Sequence, residues 1–226
     1  MEHFLVGLTG AMGREGTSPP YFSGSGIARE LSKPFISISD PTFDKGLDCT
    51  IGWYAGNKDI TNLPNILCQT IERIALKYSS IPIIFGGSGG GFAGLVLSLI
   101  LKVEAKVLVW NPQTDISSYF ENSVITYLNT AYPEEFLPVK EKIALLNKEE
   151  RKKILSRFLH RYVKYPSVIH GSVARFVDVI YLQNISDSHM QSHAKPYFNQ
   201  KKFRRLTGIS FKSDSVFMCI VNCYKI

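Results

Sequence analysis

The stretch Ile81-Pro82-Ile83-Ile84-Phe85-Gly86-Gly87-Ser88-Gly89-Gly90-Gly91-Phe92-Ala93-Gly94 decides how this chain folds. A β-branched apolar run enters a cluster of glycines, and a second apolar run leaves it with Phe92, Leu95, Val96, Leu99 and Ile100 repeating at three and four. That pattern predicts a buried strand, a tight turn and a buried helix over 88–101. The interval from Tyr78 to Leu101 carries no charge and is long enough to cross a bilayer. Pro82 and the glycine run argue against a span, because in lipid they would leave backbone groups unsatisfied, whereas a strand and a helix in a protein core use them without penalty. No transmembrane segment is expected.

Gly86-Gly87-Ser88-Gly89-Gly90 is a G-x-S-x-G pattern set directly between strand and helix. On so sharp a turn a serine has strained backbone angles that lift its Oγ clear of the sheet, and the flanking glycines avoid collision with neighbouring elements. The N–H of Gly89 then points, with the helix dipole, at an oxyanion forming on an attacked carbonyl. Two other readings stand beside this one. A glycine-rich turn without chemistry is the plainer. Gly89, Gly91 and Gly94 also satisfy G-x-G-x-x-G, the spacing of a dinucleotide loop, but the next strand ends Val109-Trp110-Asn111-Pro112 without an acidic residue to hold a ribose, and the loop follows the third strand rather than the first.

Outward from this turn the chain alternates. Short apolar runs at Phe4–Thr9, Phe35–Ser39, Ile83–Gly86, Lys106–Trp110 and Val177–Leu182, with a sixth at Val216–Asn222, are separated by segments that can hold helices, Leu63–Tyr78 among them. The layout predicts an α/β fold with a mostly parallel sheet of about six strands, covered on both faces. Residues 115–171 are too long for a simple crossover and predict several helices, including a basic one over Lys148–Val163; we expect a helical cap at the sheet's carboxyl edge within one domain spanning 1–226.

Composition sets the outer limits. With 226 residues, 45% apolar and 20% charged, the chain can bury a core without disulfides or metal, and disorder, collagen and coiled coil are excluded. Cys49 and Cys68 lie in ordinary segments and Cys219 and Cys223 have no partner pair, so neither a zinc ribbon nor a disulfide framework is indicated. The first residues, Met1 to Val6, show no basic n-region, and a cytoplasmic location is expected. The net charge of +7 is concentrated: Lys140 to Lys164 holds nine Lys/Arg against three Glu, and Lys195 to Lys212 holds six and no acid. Such runs are commonly solvated helix faces or exposed tails. They also attract anionic partners, of which an anionic glycan, an acyl-carrier cofactor or a membrane surface fits better than nucleic acid, since no nucleic-acid-binding signature accompanies the charge.

Six strands with a serine elbow after the third resemble the central part of the α/β-hydrolase fold, a three-layer sandwich, without its N-terminal antiparallel hairpin. More narrowly, Leu8-Thr9-Gly10-Ala11, Ser39-Asp40-Pro41, Trp53-Tyr54-Ala55-Gly56, Trp110-Asn111-Pro112-Gln113-Thr114 and Tyr181-Leu182-Gln183-Asn184 are similar to hydrolase-like proteins of bacterial surface-polysaccharide loci. The resemblance implies Ser88 as nucleophile, with Gly89 and the Gly10–Ala11 loop as backbone oxyanion donors. It implies an acid after a late strand, for which Asp187 fits better than Asp115, and no metal or cofactor.

The base is the difficulty. The resemblance implies a histidine after the last strand, yet the five histidines are His3, His160, His170, His189 and His193. Three explanations are open: His193, or else His189, serves as base near Asp187; the C-terminus is truncated; or the chain is a hydrolase-like scaffold that binds an anionic partner without turnover. The leading expectation is serine-dependent acyl hydrolysis or O-acyl transfer through an acyl-serine, from an acyl ester or donor, on a bacterial surface glycan. The silent scaffold and a nucleotide-binding protein are the alternatives.

Overall fold

The computed structural model describes residues 2–12, 17–46 and 48–222; Cys223 lies outside them. In chain order the strands and helices are β1 (His3–Leu8), α1 (Ser25–Leu31), β2 (Phe35–Ile38), α2 (Leu63–Tyr78), β3 (Ile81–Gly87), α3 (Ser88–Ile100), β4 (Ala105–Trp110), α4 (Glu121–Ala131), α5 (Pro133–Ile143), α6 (Lys148–Tyr162), β5 (Val177–Asn184), α7 (Lys195–Lys201), β6 (Arg204–Arg205), β7 (Ser210–Ser213) and β8 (Val216–Val221). Short 3-10 turns at Pro41–Lys45 and Ile116–Ser118 and a π turn at Met190–Ala194 complete them.

One sheet runs in the order β2-β1-β3-β4-β5-β8-β7-β6. It has eight strands and is mixed, where about six mostly parallel ones were expected. The first six in that order pair in parallel, and β7 and β6 add on antiparallel. The two extra strands were hidden because they are two and four residues long and lie in the Lys/Arg-rich stretch that reads as an exposed tail. An antiparallel hairpin closes with a tight turn, here with Asp214 at φ 45, and needs no crossover helix to betray it.

The expectation of cover on both faces also needs correction. Phe4, Val6, Ile84, Val107, Val109, Val179 and Tyr181 project into the main core with α2 and α3. On the opposite face α1 covers only Leu5 and Phe85, with Phe35, Ile83 and Leu108 beside them. Further along that face Trp110, Ile180 and Phe217 stay 39%, 44% and 38% exposed. Helix α1 has seven residues and lies against β2, at the edge of the sheet remote from β5 and β8.

The apolar interval 78–101 resolves into β3 and α3, and among the described residues no helix is long and apolar enough to cross a membrane. Helix α3 is buried from Gly89 to Ser98, as its all-round apolar pattern requires. Gly90 lets it approach β1, since a Cβ there would meet the Leu8 carbonyl. Helices α4, α5 and α6 fill the long interval between β4 and β5, and Lys148–Tyr162 starts with a full capping box between Asn147 and Glu150.

Because Leu95 is 1% exposed in the core against α2 and the sheet, Leu95→Ala is expected to cost about 2–5 kcal/mol in a urea unfolding titration; a loss under about 1 kcal/mol would contradict this packing.

Candidate active site

The chain order reverses between β1 and β3, which lie side by side with Leu8 opposite Gly86. In open α/β sheets such a switch point leaves a crevice beyond the strand carboxyl ends. Ser88 sits there, at the junction of β3 and α3, with φ at 51 and its surface half-buried rather than enclosed. A left-handed serine stores about 1–3 kcal/mol of strain, sustained here because the glycine positions around it are packed against neighbouring elements. A Cβ at Gly10 would come within 3.0 Å of the Gly87 carbonyl oxygen and 3.6 Å of Ser88 Cβ, so the loop after β1 lies directly against the elbow. Ala11, next along that loop, is exposed, and Met12 N–H donates to Thr50 O at 2.9 Å to anchor it. Gly89 belongs to the first turn of α3, whose amide groups have no intrahelical acceptor.

The Ser88 hydroxyl is held by Gln113. Gln113 Nε2 donates to Ser88 Oγ at 3.0 Å, and Gln113 N–H donates to Ser88 O at 3.2 Å. Trp53 Nε1 donates to Gln113 Oε1, and an indole can only donate, so the orientation of the buried amide is fixed. Ser88 Oγ therefore accepts from Gln113 and keeps its own proton for another acceptor. Trp53 and Tyr54, at φ 55 and 53, are seated by Asp40, whose Oδ2 accepts from Tyr54 N at 2.6 Å. Burial raises the Asp40 pKa against the lowering effect of its hydrogen bonds from Thr42 and Tyr54. Trp53 in turn meets Tyr119 edge to face at 5.6 Å.

The two C-terminal histidines both reach this neighbourhood, in different states. The π turn brings His189 and His193 to 5.3 Å between ring centroids, with Tyr119 at 5.8 Å from the first and 6.3 Å from the second. His193 is completely buried, and its Nδ1 accepts from Thr114 N at 3.3 Å. Its ring proton is then on Nε2, which is buried without a partner. Burial, then the nearby charge of His189, pushes its pKa down to about 3. The Asp187 carboxylate faces His189 instead, with Oδ1 3.0 Å from Nδ1; the ring N–H is out of line for a hydrogen bond, while His189 N donates to the same oxygen at 2.8 Å. Burial raises the Tyr119 phenol, a rise that Gln113 opposes and the Asp187 charge increases.

Sequence reasoning placed Asp187 with His193; the structure sets it beside His189. Among the described residues Ser88 Oγ is hydrogen-bonded to Gln113 and to no imidazole. Asp115 is occupied by Ser117 Oγ at 2.5 Å, at the start of the 3-10 turn. A Cβ at Gly89, Gly91 or Gly94 would meet Ile51, Pro112 or Val109, so each of these glycines serves the close packing of α3. Among the described residues no three His, Cys, Asp or Glu side chains gather as a metal site. Gln113, Trp53 and Tyr119 escaped the reading, although Gln113 and Trp53 stand inside two of the quoted motifs.

No protein-family model matches the sequence, and no curated protein matches it. Among solved structures, the capsule O-acetyltransferase of Neisseria meningitidis serogroup A aligns over 99% of this chain and 80% of its own, with a TM-score of 0.59 and 13% identity, in a complex with caged gadolinium. A histidine-to-alanine mutant of that protein in complex with CoA aligns over 100% of this chain and 80% of its own, with a TM-score of 0.57 and 14% identity. The chain has the α/β-hydrolase fold. At these identities the likeness concerns the fold alone.

With a His193 pKa near 3 in the folded chain and 6.5 as its ordinary value, the unfolded chain takes up a proton that the folded chain refuses. Stability contributed by neutral His193 is thus present above pH 6.5 and lost as pH falls from there toward 3, at up to about 1.4 kcal/mol per pH unit. Urea titrations across that range should show a shallower decline for His193→Asn than for wild type; parallel declines would contradict this.

Proposed function

We propose that this α/β-hydrolase-fold protein carries out acyl transfer through an acyl-Ser88 intermediate, as a hydrolase or O-acyltransferase. The observation that carries the reading is the Ser88 hydroxyl: left-handed backbone at φ 51, partial exposure, and an oxygen that accepts from Gln113 so that its proton is free to leave. In the proposed step Ser88 Oγ attacks the acyl carbonyl carbon and its proton passes to the imidazole of His189. The carbonyl oxygen, now negative, is met by the Gly89 N–H and by amides of the Gly10–Ala11 loop. Collapse expels the leaving group, which takes that proton, and leaves acyl-Ser88. Water or an alcohol acceptor then reverses the sequence.

His189 is the base in this reading because it lies beside the Asp187 carboxylate, whereas His193 carries its proton on Nε2 and resists gaining another. In this reading His193 is not the base and Asp115 is not the acid. A hydrogen bond between base and nucleophile often tightens only with substrate bound. The likeness to a capsule O-acetyltransferase supports a thioester donor of the CoA type and a glycan hydroxyl as acceptor, with the cytoplasm as the compartment of such donors. Helices α4 to α6 serve as the cap over this site, within one domain.

One observation favours a second reading, a scaffold that binds without turnover: the Ser88 oxygen is bonded to an amide and not to an imidazole. Fluorophosphonate labelling followed by peptide mass spectrometry separates the two. Acyl transfer requires a label on Ser88 that Ser88→Ala abolishes, that His189→Ala slows by about 10²–10⁴-fold, and that His193→Asn slows far less. An unlabelled Ser88, or a label indifferent to His189→Ala, would contradict it.

A further inference from the structure

Tyr119 belongs to two places at once. Its ring packs on Trp53, His189 and His193, and it also lines a groove of about 340 Å³ between the 116–118 turn and α6. Val124 and Leu155 line this groove alongside Lys148 and Lys152. It continues, through the shared residues Ser117 and Lys152, into a second hollow of about 420 Å³ that includes Lys153 and Arg157. The groove therefore lies along the basic side of α6, with Tyr119 as the residue it shares with the surroundings of the candidate active site.

Few cations of the chain are paired with a carboxylate, and those that line the groove are not among them. Lys45, Lys58, Lys106 and Arg151 are each within ion-pair distance of a carboxylate. Lys148, Lys152, Lys153 and Arg157 have no ion pair or hydrogen bond among the described residues. The acids close by are largely committed, Glu121 to Arg151 and Glu150 to the cap of α6, leaving Glu149 as the acid that faces the second hollow. Lys148 to Lys152 and Lys153 to Arg157 are each one helical turn apart, which sets successive charges about 6 Å apart along the groove. Exposed like charges so spaced repel one another weakly in water, and an anion lying between them relieves that repulsion. At the inner end Phe120, 62% exposed, meets Tyr119 edge to face at 4.8 Å and offers a ring face beside the charges.

We propose that this groove is the subsite for a phosphate-bearing part of the substrate, bound by Lys148, Lys152, Lys153 and Arg157, with its other end directed past Tyr119 to Ser88. Its place in the reaction rests on the acyl-transfer reading; its binding does not. The phosphates belong either to a nucleotide-type thioester donor or to a phosphorylated glycan acceptor. Both present the same chemistry to the groove.

Isothermal titration on Ser88→Ala protein, which cannot form an acyl-serine, tests the groove independently of the serine's reactivity. The probes are coenzyme A and a glycerol phosphate oligomer. At least one is expected to bind, more weakly as salt rises. The Lys152→Gln/Arg157→Gln pair should weaken that binding about tenfold or more, while Lys77→Gln, outside the groove, changes it by less than about twofold. Lys148→Gln/Lys153→Gln serves as a second pair if the first does not fold. A loss confined to coenzyme A assigns the groove to the donor, and one confined to the oligomer assigns it to the acceptor. If neither probe binds the Ser88→Ala protein, or both pairs bind as tightly as the parent, the proposal is overturned. A reactive Ser88 alongside an indifferent groove would overturn this inference and leave acyl transfer standing.

Discussion

The contact between the end of β1 and the start of α3 governs the rest. Gly90 allows the helix to sit against the Leu8 carbonyl, and Gly10 allows the following loop to lie on the Gly87 carbonyl. With both approaches made, the connection from β3 to α3 has one residue in which to turn, and that residue is driven to φ 51. Serine is an unfavourable choice there on conformational grounds, since glycine would adopt the same angles without strain. Five glycines thus surround a strained non-glycine residue at the switch point of the sheet.

What that side chain is offered matters as much as where it stands. The chain of hydrogen bonds from Trp53 through Gln113 to Ser88 has a fixed direction, set by an indole that can only donate. Each member is held from elsewhere: Trp53 by the Asp40 loop and by Tyr119 and Tyr127, Gln113 by its own N–H on Ser88 O. A preorganised donor on the serine oxygen leaves its proton with one direction to go. The two histidines nearby differ in environment, one buried and neutral, the other beside a carboxylate.

Much of the parallel sheet was legible in the sequence because its strands are β-branched apolar runs bounded by glycine, proline and charge; β4 and β5 begin within one residue of where the pattern puts them. Helix α2 falls on Leu63–Tyr78 as read, with Pro64 in its first turn. The strands β6 and β7 were not legible, for residues such as Arg204 and Arg205 carry no periodic signal and are ordered only through pairing with Phe211 and Lys212. Nor was the bareness of the second face, since Ile180 and Phe217 look like core residues until the position of α1 is known. At the site, Ser88 announced itself through its neighbours in sequence. Gln113 did not, because its role depends on Trp53, sixty residues away. The different surroundings of His189 and His193 were hidden for a related reason: a π turn places both near one centre, and only the Thr114 amide decides which nitrogen of His193 carries the proton.

The most direct test is a crystal structure of the protein after reaction with a fluorophosphonate. The account requires phosphorus bonded to Ser88 Oγ with Ser88 still at positive φ, and a phosphonyl oxygen about 3 Å from the Gly89 nitrogen, within reach of the Gly10–Ala11 amides. An unmodified Ser88 in a relaxed right-handed conformation, or an adduct whose oxygen points away from Gly89, would contradict it.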